Sequence, residues 1–191
     1  MPGSLIWPQK NGTGSPNHPS GGRGAWYYAG VFTVRCTKKL LDRMRVDPEP
    51  DSPAHTTVLG DWYANLVRVG KQQLILCVSE MTLLPVVLPA LEAKLLPRRL
   101  PEALFDVLKR MGIPWGAIDR EMKEMHESTI GRTANRSVLG IVKEFAFAMP
   151  YHQENESLTG LALWLAETPC KPIWMESPDR ATKAAFAESL H

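Results

Sequence analysis

The sequence predicts an α+β fold in which a small, mostly antiparallel sheet with a central β-hairpin packs against about five helices. Strand-like segments come first in the chain, and helical segments follow them. Two strand-like runs in the first half are separated only by Gly70 and Lys71. A two-residue connection of this kind is typical of a hairpin, because glycine supplies the dihedral angles that the turn requires. The hairpin is therefore the expected centre of the sheet.

The elements of the first half follow from side-chain type and spacing. The segment Val31–Cys36 combines β-branched and aromatic residues, as strands do. Thr37 is placed to cap a short helix whose apolar residues share one side. An acidic, proline-rich loop then leads to the two hairpin strands, residues 61–69 and 72–79. Their apolar residues are nearly continuous, so the hairpin is expected to be covered on both faces.

The second half contains several helical segments, each of which starts at a proline or at a side chain that caps a helix. They begin at Pro101, Pro114, Asn135 or Thr133, Ser157 and Ser177. Two further strands are expected, a short one within residues 128–133 and an edge strand at residues 171–175. Together with the first strand and the hairpin, these segments account for the α+β prediction.

Length and composition favour one domain after a short extension. The chain has 191 residues, and residues 1–30 are rich in Gly, Pro, Ser and Asn with little to bury. Such a segment does not offset its own ordering entropy, so we expect residues 1–30 to be flexible. Residues 31–191 are expected to form a single globular domain. No apolar run approaches the roughly 18 residues of a membrane-spanning helix.

Cysteine content and charge narrow the class of protein. The cysteines are odd in number and widely spaced, which fits neither a disulfide framework nor a cysteine metal site and favours a reducing, cytoplasmic location. The net charge is +2, but residues 1–30 hold Lys10 and Arg23 and no acid. The remaining chain therefore has 20 basic and 20 acidic residues. This balance does not favour nucleic-acid binding, which relies on a basic surplus.

Sequence motifs identify no reaction. The chain lacks a glycine-rich phosphate loop, a G-x-S-x-G nucleophile elbow and an H-E-x-x-H zinc motif, and its histidines are not spaced as metal ligands. Catalytic residues stay unknown, and neither a cofactor nor a metal site is predicted. The carboxylates of Glu121, Glu124 and Glu127 are expected on the solvated side of a helix, away from Met122 and Met125.

Two polar stretches remain as candidate sites, and the first is "LGDWYAN". On an extended chain Asp61, Tyr63 and Asn65 point to one side, so an amide enters an otherwise buried hairpin. Asn65 must find hydrogen-bond partners there, either in a neighbouring loop or in a ligand. Both possibilities stay open at this point.

The second stretch, "RTANRS", runs from basic residues into a helix. Capping accounts for Thr133, Asn135 and Ser137. It does not account for Arg132 and Arg136, because cations oppose the dipole at a helix N-terminus. The two arginines then either pair with an acid of the hairpin or of the acidic loop, or bind an anion beside free N–H groups. We expect the helix to present them to a polar site shared with the hairpin.

Five short motifs together resemble one known family. They are, in order between Val31 and Phe186, "RCTKKLL", "LGDWYANL", "LLPVVLPA", "NRSVLG" and "ETPCKPI". The family consists of small bacterial proteins described only as a domain of unknown function, similar to accessory products of mobile gene cassettes. Where it often has "GSMN" after "NRSVL", this chain has "GIVKE" and so lacks an asparagine. The resemblance supports the fold and implies no activity.

Three functions from different classes remain open. The favoured one is a small binding or regulatory module that recognises an anionic small molecule or a protein partner. Its candidate ligand-binding residues are Asp61, Asn65, Arg132, Thr133, Asn135, Arg136 and Ser137. One alternative is an RNA- or DNA-acting, toxin-like protein that also uses Arg35, Lys38 and Lys39. The other is an enzyme with a site near Asp61, Asn65 and Arg136 that matches no familiar motif.

Overall fold

One β-sheet lies at the centre of the structure, a computed structural model that describes residues 30–152 and 157–189. Its strands are β1 (Val31–Cys36), β2 (Trp62–Val69), β3 (Gln72–Ser79), β4 (Pro85–Pro89) and β5 (Glu127–Arg132). They lie in the order β4-β3-β2-β1-β5. The predicted hairpin is β2 and β3, and it has a neighbouring strand on each side. Its central position is therefore confirmed.

The sheet is mixed, because β1 pairs in parallel with both β2 and β5, while β2–β3 and β3–β4 are antiparallel. The α+β class is confirmed, but the expectation of a mostly antiparallel sheet is wrong. Parallel pairing arises because the chain crosses from β1 to β2 through a helix and a long loop, and returns to β1 only with β5. Local hairpin signals carry no information on pairing between segments so far apart in the chain.

Six α-helices are present in the described part of the chain. They are α1 (Lys38–Met44), α2 (Leu96–Arg110), α3 (Trp115–Glu124), α4 (Arg136–Ala148), α5 (Leu158–Ala166) and α6 (Pro178–Glu188). The described part of the chain also contains 3₁₀ helices at Ala90–Leu95, Met149–Tyr151 and Lys171–Ile173. Among residues 30–152 and 157–189, no helix has the length and apolar character needed to cross a bilayer.

Two elements differ from their predicted form. The helix α2 begins at Leu96 rather than at Pro101, which lies inside it. Leu96 and Leu100 are buried, and the burial of this apolar stripe outweighs the helix-breaking preference of proline. Residues 171–175 form a 3₁₀ turn and two left-handed residues rather than an edge strand. The only β pairing at this turn joins the residues that flank it, Cys170 and Glu176.

Helices cover both faces of the central hairpin. Every residue from Leu74 to Ser79 in β3 is buried, so side chains of both alternating sets are shielded from solvent. The helix α4 contacts β2 and β3, α1 contacts β2, and α2 and α5 contact β4. The expectation that the hairpin is covered on both faces is confirmed.

The expected flexible extension, residues 1–30, lies outside the described residues except for Gly30. The carbonyl oxygen of Gly30 accepts a hydrogen bond from the Glu127 N–H at 2.9 Å. A Cβ atom on Gly30 would lie only 2.1 Å from the Cα of Glu124. Glycine is therefore required where the chain enters β1, since any side chain would collide with the backbone at the end of α3.

Candidate functional site

A cleft opens at the carboxyl ends of the neighbouring parallel strands β1 and β5. Its volume is about 300 Å³. At the end of the ladder, Cys36 of β1 lies opposite Arg132 of β5, and both residues line the cleft. The other walls come from α1 and from the loop that follows it. The full lining is Cys36, Lys38, Leu41, Asp42, Val46, Asp47, Pro48, Arg132 and Thr133.

The position of the cleft follows from the path of the chain after each strand. After β1 the chain enters α1, whose Leu41 lines the cleft beside Cys36. After β5 it leads to α4, whose capping residue Asn135 donates its N–H to the Tyr63 hydroxyl at 3.1 Å. Tyr63 pairs with Arg35, the neighbour of Cys36. The side chains of Tyr63 and Cys36 therefore lie on opposite faces of the sheet. Parallel strands whose connections leave toward opposite faces form a crevice in which ligands commonly bind.

Cations at the cleft differ in whether they have an acidic partner. The Nζ of Lys38 lies 3.0 Å from Oδ2 of Asp42, one helical turn away. By contrast, Arg132 is exposed and has no carboxylate within ion-pair distance among the residues that the structure describes. Arg132 is therefore a cation that remains available to a bound anion.

The thiol of Cys36, which lines the cleft, is not activated as a nucleophile. Cys36 is buried, and its Sγ lies 3.7 Å from the carbonyl oxygen of Val34, to which it can donate. Burial raises the pKa of the Cys36 thiol to about 12. Because the thiolate is the nucleophilic form, this residue contributes a neutral wall to the cleft and not a nucleophile.

Asp61 lies in the interior, where both oxygens of its carboxylate accept hydrogen bonds. Its Oδ1 accepts a hydrogen bond from the Thr33 N–H at 3.0 Å. Its Oδ2 accepts from Nε of Arg35 at 2.9 Å and lies 2.7 Å from Nη2 of the same guanidinium. Arg35, a candidate nucleic-acid contact, thus directs its charge into the fold, and neither Arg132 nor Arg136 pairs with Asp61.

Asn65 joins β2 to the start of α1. Its Oδ1 accepts a hydrogen bond from the Thr37 hydroxyl at 3.0 Å. Close by, Nζ of Lys39 donates to the carbonyl oxygen of Leu66 at 3.5 Å. The bond from Thr37 is the structural contact to a neighbouring segment that the sequence left open, while a ligand contact of Asn65 stays a prediction.

The start of α4 is capped by Asn135. Its Oδ1 accepts hydrogen bonds from the N–H groups of Ser137 at 3.0 Å and Val138 at 3.3 Å. Its Nδ2 donates to Oε1 of Glu80 at 3.4 Å, and the same oxygen accepts from the Tyr63 hydroxyl at 3.2 Å. The cap therefore occupies two of the N–H groups that an anion could use. Glu80 has no counterpart in the sequence prediction, although its place directly after β3 marks it as a strand-end residue.

Arg136 and Ser137 are exposed and line a second cavity of about 500 Å³. Lys171 and Glu144 contribute to the same lining. The candidate residues thus fall into three groups rather than one shared site. Lys38, Arg132 and Thr133 line the cleft, Arg136 and Ser137 line the second cavity, and Arg35, Asp61, Asn65 and Asn135 belong to internal hydrogen-bonded contacts.

Glu121 differs from its expected place on a solvated helix face. It is 1 % exposed, and its carboxylate accepts from the Val58 N–H at 2.8 Å and the Leu59 N–H at 3.1 Å. Burial raises the pKa of Glu121, against the lowering effect of these two hydrogen bonds. The buried side of α3 consists of Ala117, Ile118 and Glu121. The helical spacing of these residues indicates that Glu121 faces inward, contrary to the expectation.

Comparison with protein families gives one match. A model of the family described as a domain of unknown function, DUF6933, matches residues 33–181. The chain belongs to this family. The match confirms the resemblance seen in the sequence, and the matched residues of this DUF6933 chain include both the cleft and the Asp61 contacts. Neither the comparison with curated proteins nor that with solved structures found a match.

Proposed function

We propose that this DUF6933 protein is a binding module that holds a small carboxylate-bearing molecule in the cleft beyond β1 and β5. The observation that carries the proposal is Arg132, an exposed guanidinium that lines the cleft and has no acidic partner among the described residues. A guanidinium can bind both oxygens of a carboxylate at once. Thr133, which also lines the cleft, offers a hydroxyl as a further donor.

The remaining walls support a small ligand with an apolar part. A volume of about 300 Å³ is at the lower end of the range found for ligand sites. Leu41, Val46 and Pro48 contribute apolar surface to the lining. Burial of apolar area stabilises a complex by about 25 cal/mol per Å². The anion is therefore expected to carry a short apolar body that these side chains cover.

Acidic side chains in the cleft argue against a polyanion. Lys38 and Arg132 line it together with two carboxylates, Asp42 and Asp47. Asp42 already pairs with Lys38, and Asp47 repels a ligand of high negative charge. Nucleic acids and polyphosphates require a surplus of positive charge. The equal numbers of basic and acidic side chains in the cleft therefore support a singly charged carboxylate over RNA, DNA or a polyphosphate.

Binding also fits the chemistry of Cys36 better than catalysis does. Burial raises the pKa of its thiol to about 12, so the group meets a ligand in its neutral form. A neutral thiol contributes a soft, polarizable wall to a binding site. The proposal is therefore recognition of an anion without a covalent step.

The test is a thermal-shift screen of the full chain against small carboxylates, short acidic peptides, phosphorylated metabolites, nucleotides and short RNA. A ligand present at a hundred times its Kd adds about 2.7 kcal/mol to stability. For a domain of this size, such a gain raises Tm by several degrees. We expect a small carboxylate to give this shift with the parent protein and Arg132→Ala to abolish it.

Arg136→Ala is the matched control, because it removes another exposed arginine that has no acidic partner in the described residues and lines a different cavity. It should retain the shift. Loss of the shift in Arg136→Ala but not in Arg132→Ala would move the binding site to the second cavity. A shift produced by RNA or polyphosphate, and not by any carboxylate, would contradict the proposal.

A further inference from the structure

We propose that His55, Asp61 and Glu80 form a binding site for a divalent transition-metal ion of the zinc class. One ligand atom from each residue, an imidazole nitrogen or a carboxylate oxygen, lies within 4.8 Å of the other two. Asp61 is buried, and His55 and Glu80 are half-buried. The proposal does not depend on anion binding in the cleft.

The backbone brings the two carboxylates together at one end of the hairpin. Asp61 directly precedes β2 and Glu80 directly follows β3, and these strands pair with Trp62 opposite Ser79. The N–H of Glu80 donates to the carbonyl oxygen of Asp61 at 2.8 Å. The separation of the two carboxylates is thus set by a β-ladder rather than by mobile loop residues.

His55 comes from the loop that leads into β2. The next residue, Thr56, ties this loop to β1, because its N–H donates to the carbonyl oxygen of Val31 at 3.0 Å. Gly60 adopts φ +75°, and a Cβ there would lie 2.8 Å from Cγ of Met81 and 3.5 Å from the His55 ring. Glycine is therefore required here by the positive φ and by the Met81 side chain, while the His55 ring lies at ordinary van der Waals distance from this position.

Each carboxylate is oriented by donors that leave it able to bind a cation. Asp61 is held by the Thr33 N–H and by Arg35, as described above. Both donors to Glu80, the Tyr63 hydroxyl and Nδ2 of Asn135, bond to Oε1. Within residues 30–152 and 157–189, no donor is found for Oε2 of Glu80. Outer partners of this kind fix the direction of metal-binding side chains in known sites.

Among the described residues, the half-buried ring of His55 forms no hydrogen bond or ion pair. A ring nitrogen that faces two carboxylates and is not used inside the fold remains able to coordinate an ion. A metal ion bound by this nitrogen therefore displaces no hydrogen bond among the described residues.

The donor set indicates the class of ion. One nitrogen and two carboxylate oxygens suit Zn²⁺, Mn²⁺ or Fe²⁺, whereas Ca²⁺ takes 6–8 oxygen ligands. Three protein ligands with a position left for water are typical of zinc sites that are open to substrate. The two carboxylates and the Arg35 guanidinium together leave one net negative charge, which attracts a cation. Zinc lies about 2.0–2.2 Å from its ligand atoms. Each of the three side chains needs to move by less than about 1 Å to reach an ion at this distance.

The test titrates chelator-treated full-length protein with Co²⁺, followed by its visible absorption, and with Zn²⁺, followed by calorimetry. We expect one ion per chain. His55→Ala removes no hydrogen bond among the described residues, so it should fold as the parent does. It should bind at least about tenfold more weakly, since even the loss of an outer partner of a ligand has this effect. Glu80→Gln keeps an acceptor for Tyr63 but loses a charged ligand oxygen, and should weaken binding similarly.

His126→Ala is the matched control, because His126 is exposed and lies outside the cluster. It should bind the ion as the parent does. If His55→Ala binds as tightly as the parent, or if the parent binds neither ion below millimolar concentrations, the proposal is wrong. Anion binding in the cleft can be present or absent in either case, since Arg132 and the metal ligands are separate residues.

Discussion

The interior contacts of Asp61 and the cleft beside Arg132 use the same residue type in opposite ways. In the interior, the side chain of Arg35 is 21 % exposed and forms a two-point contact with a carboxylate that is 4 % exposed. At the surface, Arg132 and Arg136 are exposed and have no carboxylate partner among the described residues. The chemical identity of an arginine therefore does not tell whether it stabilises the fold or remains free to bind.

The difference teaches that burial and pairing decide the role of each charge. A buried ion pair contributes little over an apolar replacement of both partners, but removal of one partner leaves an uncompensated charge. An exposed cation can be removed at little cost, since water solvates whatever remains. Substitutions in the interior should therefore change the free energy of unfolding strongly and substitutions in the cleft only weakly. Measurements of ligand binding in the cleft should show the opposite order.

The largest effect is expected at Asp61. Asp61→Ala leaves the Arg35 guanidinium and the Thr33 N–H without their acceptor in the interior. We expect a loss of about 3–5 kcal/mol in the free energy of unfolding, measured by urea denaturation. Asp42→Ala, which breaks the exposed pair with Lys38, is the control and should change it by less than about 1 kcal/mol. Similar values for the two variants would remove the contrast between interior and surface.

Glu121 should give the next largest effect. Glu121→Ala leaves the N–H groups of Val58 and Leu59 without an acceptor, which costs about 1–3 kcal/mol. Glu102→Ala on the exposed side of α2 is the control and should lie within about 0.5 kcal/mol of the parent. An equal loss in both variants would show that the carboxylate of Glu121 does not hold the loop.

The pH dependence at Glu121 has a defined sign. Its pKa is raised in the folded state above the ordinary value of 4.5, mainly by burial. The folded state therefore holds more protons than the unfolded chain just above pH 4.5, and stability falls as the pH rises through this window. Denaturant titrations at a series of pH values should show that Glu121→Gln lacks this fall. A variant with the same pH profile as the parent would contradict the assignment.

The sequence predicts what short-range patterns encode. The turn at Gly70 and the cap at Asn135 are recognisable because each depends on a few neighbouring residues. The interior contacts are different, since Arg35 reaches Asp61 across 26 positions of the chain and Glu121 reaches Val58 across 63. Which acid pairs with which donor depends on strand order, and no local pattern contains that order.

The cleft could be predicted only in part for the same reason. Arg132 stands out in the sequence, because capping does not explain a cation at this position, and Thr133 follows it directly. Their juxtaposition with Lys38 depends on the parallel pairing of β1 and β5, which brings Cys36 opposite Arg132 from 96 positions away. The sequence therefore identifies Arg132 and Thr133 and offers the acidic loop among their neighbours, but it does not indicate Cys36 and α1, which strand order brings to the cleft.

Asn65 provides an intermediate case, because its amide is half-buried. Asn65→Leu leaves the Thr37 hydroxyl without its acceptor and should cost about 1–3 kcal/mol. A double-mutant cycle with Thr37→Val isolates the bond and should give a coupling of about 0.5–1.5 kcal/mol, measured by urea denaturation. No coupling, together with an Asn65→Leu variant as stable as the parent, would indicate that water already satisfies both groups and would leave Asn65 open to a ligand.

The smallest effect is expected at Arg136, the first residue of α4. Its charge opposes the helix dipole and has no carboxylate partner within the described chain. Arg136→Ala should therefore leave Tm unchanged or raise it slightly, by an amount equivalent to a few tenths of a kcal/mol, in low-salt buffer without phosphate or sulfate. Added NaCl should shrink the difference, because salt screens the dipole. If phosphate or sulfate then stabilises the parent but not this variant, the arginine contributes to an anion site in the second cavity. A loss of more than about 1 kcal/mol would instead reveal an internal acidic partner and place Arg136 with Arg35 among the charges that hold the fold.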